Sequence, residues 1–180
     1  KEHGIKHEVC GKVVVAMEEG ELPRLEKIYQ RGLANGIEDL RKIDADQIKA
    51  IEPFCTGIAG LWVGCTGIID FRGATNKMAE LAIALNPASE VHVGEEVLRT
   101  DAAEGASVVR TGKGGYRTDC VIFCAGLQSD RLARADGVPV KEQIVGFRGD
   151  YYELTAKGKH KVKNLIYPVP DPGLPFLGVH

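Results

Sequence analysis

The stretch DCVIFCAGLQSD, residues 119–130, contains the most apolar run of the chain and turns at Ala125-Gly126. A continuous apolar run of this length is typical of a strand buried on both faces, as in a parallel sheet. Ser129 or Asp130 is then expected to cap a short helix. In open α/β sheets, ligands bind at the carboxyl ends of strands, where small residues let a ligand approach the backbone. An ordinary buried strand with a tight turn is the alternative, and the motif alone leaves both open.

Patterns on either side of this stretch predict strands interspersed with helices. Apolar spacing predicts a helix over residues 21–33, and Asp44 with Gln47 forms a capping box at the start of a second helix. A third helix is expected after Asp70. The main predicted strands cover residues 13–16, 58–63, 120–125, 147–154 and 162–169. This mixture predicts an α+β (mixed α/β) fold.

The composition is that of an ordinary globular chain. It has 180 residues, 44% of them hydrophobic and 27% charged, which argues against a disordered, collagen-like or coiled-coil chain. Lys and Arg total 23 against 25 Asp and Glu, so no broad basic field predicts a nucleic-acid partner. No apolar run approaches the roughly 20 residues of a membrane span. The first residue is Lys and the last residues are apolar, so we expect both ends to lie inside a longer protein.

The cysteines predict a compartment but no site. Five cysteines lack paired spacing: Cys10, Cys55, Cys65, Cys120 and Cys124. An odd number of this kind favours a reducing compartment, so we expect a cytoplasmic location, with association at a membrane surface left open. No set of further Cys or His residues at ligand spacing accompanies them, so we expect core thiols and no metal.

Three polar residues near predicted strands are candidates for chemistry. His180 follows an apolar run and is either a hydrogen-bonded core histidine or a general base that faces a pocket. Tyr167 needs a partner for its hydroxyl if it is buried, and either a substrate carboxylate or a backbone carbonyl can serve. Arg148 is either an exposed strand residue or a bidentate ligand for a carboxylate.

Six stretches together resemble the L-2-hydroxyglutarate oxidase/dehydrogenase family, within the glycine-oxidase-like and D-amino-acid-oxidase-like FAD oxidoreductases. They run almost from end to end of the chain: CGKVVVA (10–16), ELPRLEKIYQRGLANG (21–36), IAGLWVGCTGIIDFRGA (58–74), CAGLQSDRLA (124–133), FRGDYYEL (147–154) and NLIYPVPDPGLPFLGVH (164–180). The last two are long and specific, which makes chance a poor explanation of the match.

The resemblance implies two interleaved domains. A substrate-binding sheet domain is expected to comprise residues 1–69 and 138–180. Residues 70–137 are expected to form part of a FAD-binding domain of the D-amino-acid-oxidase-like type. The glycine-rich dinucleotide turn of the family is absent from the chain. Because that turn binds the pyrophosphate, we expect the 180-residue chain alone to bind FAD weakly or not at all and to be inactive.

The resemblance also implies roles for individual residues. Val97 and the Ala125-Gly126 turn correspond to FAD contacts. Tyr167 corresponds to a tyrosine that holds a substrate carboxylate, and Arg148 is a weaker candidate for the same task. His180 is expected close to the flavin, where it serves as a base or orients the substrate.

The implied activity is the oxidation of a small 2-hydroxy acid, L-2-hydroxyglutarate to 2-oxoglutarate, by hydride transfer to FAD. A related flavin amine oxidase, a glycerol-3-phosphate-type dehydrogenase and a non-catalytic small-molecule-binding module stay open as alternatives. Open edge strands would let two copies pair, so a homo-oligomer is open as well.

Overall fold

The computed structural model describes residues 2–173, and the chain divides into two compact units. Residues up to Leu85 together with those from Glu153 onward form the first unit, and Asn86–Tyr152 form the second. The domain boundaries expected from the family resemblance follow residues 69 and 137. The assignment of substrate-binding and FAD-binding roles to those segments stays a prediction.

The described residues form nine strands and four α-helices, which confirms the expected mixed class. They are β1 (His7–Glu8), β2 (Lys12–Ala16), α1 (Leu22–Ala34), β3 (Leu40–Asp44), α2 (Ala45–Ile51), β4 (Ala59–Val63), β5 (Ile68–Ile69), α3 (Phe71–Leu85), β6 (Val97–Ala103), β7 (Ala106–Thr111), β8 (Gly115–Thr118), α4 (Ser129–Ala135) and β9 (Leu165–Pro168). Short 3-10 turns occupy Glu19–Glu21, Gly126–Gln128 and Lys159–Lys161.

A four-stranded sheet in the order β3-β4-β2-β9 forms the centre of the first unit. The strand β2 runs antiparallel to β4 and parallel to β9. Successive side chains of a strand point to opposite faces. Val14 and Ala16 therefore pack with Leu25 of α1 on one face, and Val13 and Val15 pack with Ile48 of α2 on the other. Burial on both faces explains why β2 is apolar at successive positions.

The three helices predicted in the first unit are present. The helix α1 is followed by Gly36, whose φ of +67° is the left-handed conformation that ends many helices. At the start of α2, the Asp44 side chain accepts a hydrogen bond from the Gln47 amide, and the Gln47 side chain accepts one from the Asp44 amide. Asp70 accepts a hydrogen bond from the Gly73 amide in the first turn of α3. Local capping chemistry therefore sets these helix boundaries.

The second unit contains an antiparallel meander in the order β6-β7-β8. A hairpin turn at Lys113-Gly114-Gly115 connects β7 to β8, and the Thr111 amide donates a hydrogen bond to the Gly114 carbonyl. The helix α4 is tied to the meander by Asp136, whose carboxylate accepts hydrogen bonds from the amide and the hydroxyl of Thr100 at 2.8 and 2.7 Å. The meander and α4 are thus joined by polar contacts.

Two predicted strands are wrong, although their sequences have strong strand propensity. Residues 120–125 and 147–154 have no regular structure, and Ile122 and Tyr151 are 83% and 97% exposed. A strand needs neighbours that satisfy its backbone groups. No described strand pairs with these segments, so propensity alone does not produce a strand there.

The expected cap of α4 is also wrong. Gln128 occupies the N-cap position without a side-chain cap, and the Ser129 hydroxyl donates to the carbonyl of Gly126 instead. Asp130 lies inside the helix, where its carboxylate accepts hydrogen bonds from Arg134 and from the Ile144 amide.

Gly11 precedes β2 and lies against the only tryptophan of the chain, Trp62. Its φ is +77°, and a Cβ there would lie 2.2 Å from an atom of the indole ring. The ring is held in place because its Nε1 donates to Asp39 at 2.9 Å and because Arg41 lies over its face. A side chain at position 11 therefore meets both an unfavourable backbone conformation and an occupied space.

We predict that Gly11→Ala destabilises the chain more than Gly36→Ala does. Both positions have positive φ, which costs alanine about 1–2 kcal/mol, but a Cβ at Gly36 meets no atom within 4 Å. Overpacking against Trp62 should add about 1–3 kcal/mol for Gly11→Ala. Urea unfolding followed by circular dichroism measures the difference, and equal midpoints for the two variants would contradict the proposed contact.

Candidate functional site

A cleft beside β9 of the four-stranded sheet is the candidate site of the first unit. Its volume is about 360 Å³. Residues from β2, α1 and β9 line it, among them Lys12, Val14, Ile28, Arg31, Asn35 and Tyr167. Aliphatic side chains form part of the wall, while an ammonium, a guanidinium, an amide and a phenol supply polar groups. Such a combination of apolar walls and a few polar groups is typical of small-molecule sites.

Tyr167 reaches this cleft because β9 pairs with β2 in a parallel register. The register places Tyr167 beside Val14 and Leu165 beside Lys12, so these side chains share one face of the sheet. The tyrosine is half-buried against the core cluster around Val14. The Nζ of Lys12 lies 4.6 Å from the centre of its ring. The cation therefore lies over the face of the phenol ring, a favourable arrangement.

Two cations from different elements approach the cleft. Lys12 begins β2, and Arg31 lies in the last turn of α1. No carboxylate side chain is among the described residues that line the cleft. The carbonyl groups at the end of a helix carry about half a negative charge, which is less than the two full positive charges present. The cleft consequently favours an anionic ligand.

A buried glutamate holds the segment that leads into β9. Glu52, directly after α2, is fully buried. Its Oε1 accepts hydrogen bonds from the backbone amides of Lys163 and Asn164 at 2.9 and 2.5 Å. The Asn164 side chain donates to the carbonyl of Cys10, just before β2. These contacts connect α2, β2 and β9. They fix the start of β9, the strand that contains Tyr167.

The buried glutamate also affects a neighbouring thiol. Burial raises the pKa of Cys55, and the negative charge of Glu52 raises it further. Cys55 therefore stays a protonated thiol at neutral pH and is a poor nucleophile. All five cysteines are free.

A second cavity lies in the second unit and includes the predicted FAD contact Val97. Its volume is about 370 Å³. Val97, Val109, Tyr116, Val121 and Ile122 are among its lining residues. Val97 is the first residue of β6, next to a bulge in the pairing of β6 with β7. The aliphatic side chains of this cavity offer packing contacts for a flat ring system such as adenine.

A buried carboxylate gives this cavity a polar edge. Glu95 accepts hydrogen bonds from the hydroxyls of Thr111 and Tyr116 at 2.6 and 3.0 Å. The hydrogen bond from Thr111, together with that from Tyr116 and the nearby side chains of Lys113 and His92, lowers the pKa of Glu95 despite its burial. The hydrogen bond between Tyr116 and Glu95 raises the pKa of the tyrosine hydroxyl. Glu95 is therefore an anion that anchors the meander beside Val97.

The Ala125-Gly126 turn exposes its backbone. Gly126 is exposed, its φ is +53°, and a Cβ there would meet no atom within 4 Å. Glycine suits this turn because of the backbone conformation, and the turn consequently presents bare main chain. Ala125 is half-buried. The exposed main chain and the apolar cavity of the same unit both fit parts of FAD.

Asp130 holds the segment after this turn in place. It is 8% exposed and accepts hydrogen bonds from Arg134 at 2.9 Å and from the Ile144 amide at 3.3 Å. Burial acts to raise the pKa of Asp130, but the hydrogen bonds from Arg134 and Ile144 outweigh it, so the pKa is lowered. Arg134 also donates to the carbonyl of Glu142. The carboxylate thus joins α4 to the residues that follow it.

Arg148 is not brought into either cavity. The Arg148 side chain is 87% exposed and pairs with Asp150 at 2.8 Å. His180 lies outside the described residues. The predicted roles of His180, Tyr167, Arg148, Val97, Ala125 and Gly126 stay predictions.

Neither metal coordination nor a membrane span is found in residues 2–173. No group of three or more His, Cys, Asp or Glu side chains there could hold a metal ion. Each helix of that range is too short or too polar to cross a membrane.

Sequence reasoning missed Lys12, Arg31 and Glu52. Lys12 and Arg31 look like ordinary surface cations, and only the parallel pairing of β9 with β2 brings them to one cleft with Tyr167. Glu52 did carry a signal, since it stands between Ile51 and the Pro53-Phe54 pair in an apolar context. A carboxylate in such surroundings is buried only when it is hydrogen-bonded.

Comparison with known proteins gives consistent matches. A profile of the family described as FAD dependent oxidoreductase matches residues 1–180. L-2-hydroxyglutarate dehydrogenase from Indibacter alkaliphilus is 42% identical, over all of this chain and 45% of that protein. The L-2-hydroxyglutarate dehydrogenase of Escherichia coli K12 is 37% identical, over 99% of this chain and 42% of that protein. The chain thus spans less than half the length of the curated relatives it matches.

Solved structures show the same fold. The L-α-glycerophosphate oxidase of Mycoplasma pneumoniae, solved with FAD bound, superposes with a TM-score of 0.68. The match covers 93% of this chain and 45% of that one, at 21% sequence identity. At this identity the likeness concerns the fold alone.

We predict that Glu52→Ala destabilises the chain by about 2–5 kcal/mol, because it leaves the amides of Lys163 and Asn164 without their acceptor. Glu52→Gln keeps one acceptor oxygen, so its free energy of unfolding should fall by less. Urea unfolding measures both, with exposed Glu38→Ala as the matched control. An unfolding midpoint for Glu52→Ala equal to that of Glu38→Ala would show that the buried carboxylate does not hold β9.

The lowered pKa of Asp130 predicts a pH dependence of stability. The ionised carboxylate stabilises the folded chain above the ordinary pKa of about 3.9, and this contribution is lost as pH falls through the lower folded value. Unfolding midpoints between about pH 6 and pH 2 should therefore fall less steeply for Asp130→Asn. Exposed Asp119→Asn serves as the control. Parallel pH profiles for wild type and Asp130→Asn would contradict the role of the carboxylate.

Proposed function

The chain belongs to the family of FAD-dependent oxidoreductases, and we propose that the protein containing it oxidises L-2-hydroxyglutarate to 2-oxoglutarate. The observation that carries this proposal is the 42% identity, along the whole chain, to a protein named L-2-hydroxyglutarate dehydrogenase. The resemblance inferred from the sequence is thereby confirmed at the level of the family. The cation-lined cleft at Tyr167 supports an acidic substrate.

FAD binding divides between this chain and other parts of the protein. From this chain, Val97 would contact the adenine and the bare backbone of Ala125-Gly126 would let the cofactor approach closely. When bound, the flavin supplies the redox chemistry by taking a hydride equivalent from the α-carbon of the substrate. The residues of this chain therefore bind, orient and deprotonate rather than carry electrons.

Tyr167 orients the substrate in this proposal. Its hydroxyl donates to the carboxylate next to the reacting carbon, and a hydrogen bond to a charged group contributes about 1.5–3 kcal/mol. The half-buried ring, held between the core and Lys12, restricts the position of the hydroxyl. Such restriction is how a protein positions a substrate for transfer.

We assign the removal of the substrate hydroxyl proton to His180. Imidazole accepts a proton near neutral pH and is the commonest general base. The hydroxyl proton goes to the imidazole while the C–H bond breaks, and the carbon–oxygen double bond of the 2-oxo acid forms. Arg148 stays a second candidate for a carboxylate contact.

The proposed location is a reducing compartment, which we take to be the cytoplasm. The support is that all five cysteines are free thiols, as is usual where disulfides do not persist.

The proposed reaction predicts that the protein from the complete reading frame loses its oxidised flavin absorbance when L-2-hydroxyglutarate is added without oxygen. The D-enantiomer, glycine, sarcosine and glycerol 3-phosphate are the comparison substrates. Reduction by glycine, sarcosine or glycerol 3-phosphate but not by L-2-hydroxyglutarate would replace this proposal with an amine oxidase or a glycerol-3-phosphate-type dehydrogenase.

In the same assay, Tyr167→Phe should lower kcat/KM roughly 10–100-fold, whereas Tyr152→Phe, at a tyrosine that is 95% exposed, should not.

A further inference from the structure

The two cations of the Tyr167 cleft, Lys12 and Arg31, are not paired with acidic side chains within the part of the chain that the structure describes. Lys12 and Arg31 form no ion pair among residues 2–173, whereas Lys42 and Arg41 on β3 pair with Glu26 and Asp39. Most surface cations find mobile counterions in water. Here, however, an ammonium and a guanidinium line one small cleft whose other walls include Val14 and Ile28. Like charges beside apolar walls repel each other more strongly than in open water.

An anionic ligand relieves that repulsion, and the chemistry of the cleft suggests which anion. Tyr167 contributes a single hydroxyl, which suits one carboxylate. The ammonium of Lys12 and the guanidinium of Arg31 contribute several more donors, all positively charged. Asn35 adds an amide at the same end of α1. This donor set exceeds what one carboxylate requires and matches an acid with two.

We propose that Lys12 and Arg31 bind the second carboxylate of the substrate, the one remote from the reacting carbon. The cleft would then select dicarboxylic 2-hydroxy acids over monocarboxylic ones. This inference rests on the proposed function and adds the residues that determine specificity. Guanidinium groups bind carboxylates through two parallel hydrogen bonds, and the lysine adds a point charge over the Tyr167 ring, close to where the first carboxylate binds.

The placement also explains how selectivity arises. A monocarboxylic acid that occupied the cleft would leave two cations partly desolvated and unpaired. That penalty acts against the wrong substrate, which is an effective form of discrimination. Because the second carboxylate does not react, its binding is the same before and during the reaction. The loss of a cation should therefore appear in KM rather than in kcat.

The test uses the protein from the complete reading frame with bound FAD. Lys12→Met and Arg31→Gln remove the charges while keeping much of the length of each side chain. Lys42→Met and Arg41→Gln are matched controls, because both lie on β3 of the same sheet, separated from β2 by β4, and neither lines this cleft. The substrates are L-2-hydroxyglutarate, with two carboxylates, and L-2-hydroxybutyrate, with one. Glutarate has two carboxylates but no 2-hydroxyl group to oxidise, so its affinity, measured by calorimetry, reports binding alone.

For L-2-hydroxyglutarate, each cleft variant should raise KM about 10–100-fold with kcat changed less than about twofold. KM for L-2-hydroxybutyrate should change little, and glutarate affinity should fall in parallel with the rise in KM for the dicarboxylate. Lys12→Arg should recover most of the loss, which a general structural defect would not allow.

Three results would overturn the inference. Unchanged KM for L-2-hydroxyglutarate in both variants overturns it while the proposed function stands. An equal rise in KM for both substrates shows that the cations act on the first carboxylate or on folding. Absence of L-2-hydroxyglutarate oxidation by the wild type overturns the proposed function and the inference with it.

Discussion

The parallel pairing of β9 with β2 is the interaction on which the candidate site depends. These strands are far apart in the sequence, and their pairing places Tyr167 beside Val14 and Leu165 beside Lys12. A parallel pair has no hairpin to set its register, and a slip of one residue would turn Tyr167 to the other face. Glu52 and Asn164 supply the missing constraint, because they bind the backbone just before each strand. The cleft exists because this register is held.

The same dependence on neighbours explains the segments that lack regular structure. Residues 120–125 and 147–154 have the composition of strands, yet Ile122, Tyr151 and Tyr152 are largely exposed. Met78 and Leu85 on the apolar stripe of α3 are exposed as well. The chain spans 45% of the relative that it matches at 42% identity. A segment with strand propensity forms a strand only when a neighbouring strand pairs with it, and the apolar face of a helix is buried only when another element packs against it.

Burial, rather than charge, separates the residues that organise the fold from those available to a ligand. Glu52, Glu95 and Asp130 are carboxylates with internal donors, and each joins two parts of its unit. Lys12 and Arg31 have no acidic partner among the described residues and face a cleft. Buried charges must be satisfied by the protein itself, whereas charges at a cleft are satisfied by solvent or ligand. For this reason we assign the proposed substrate contacts to Lys12 and Arg31 rather than to the buried carboxylates.

The amino-acid sequence by itself determined the local features and the family. The helix α1 follows from apolar spacing and α2 from the Asp44–Gln47 capping box, since each depends on residues a few positions apart. The quoted stretches identified the FAD oxidoreductase resemblance. Only the tertiary structure decided that Lys12, Arg31 and Tyr167 share a cleft, that Glu52 is buried beneath β9, and that residues 120–125 do not form a strand. Each of these depends on contacts between distant segments, and side-chain periodicity carries no information about which distant partner a strand or a charge will meet.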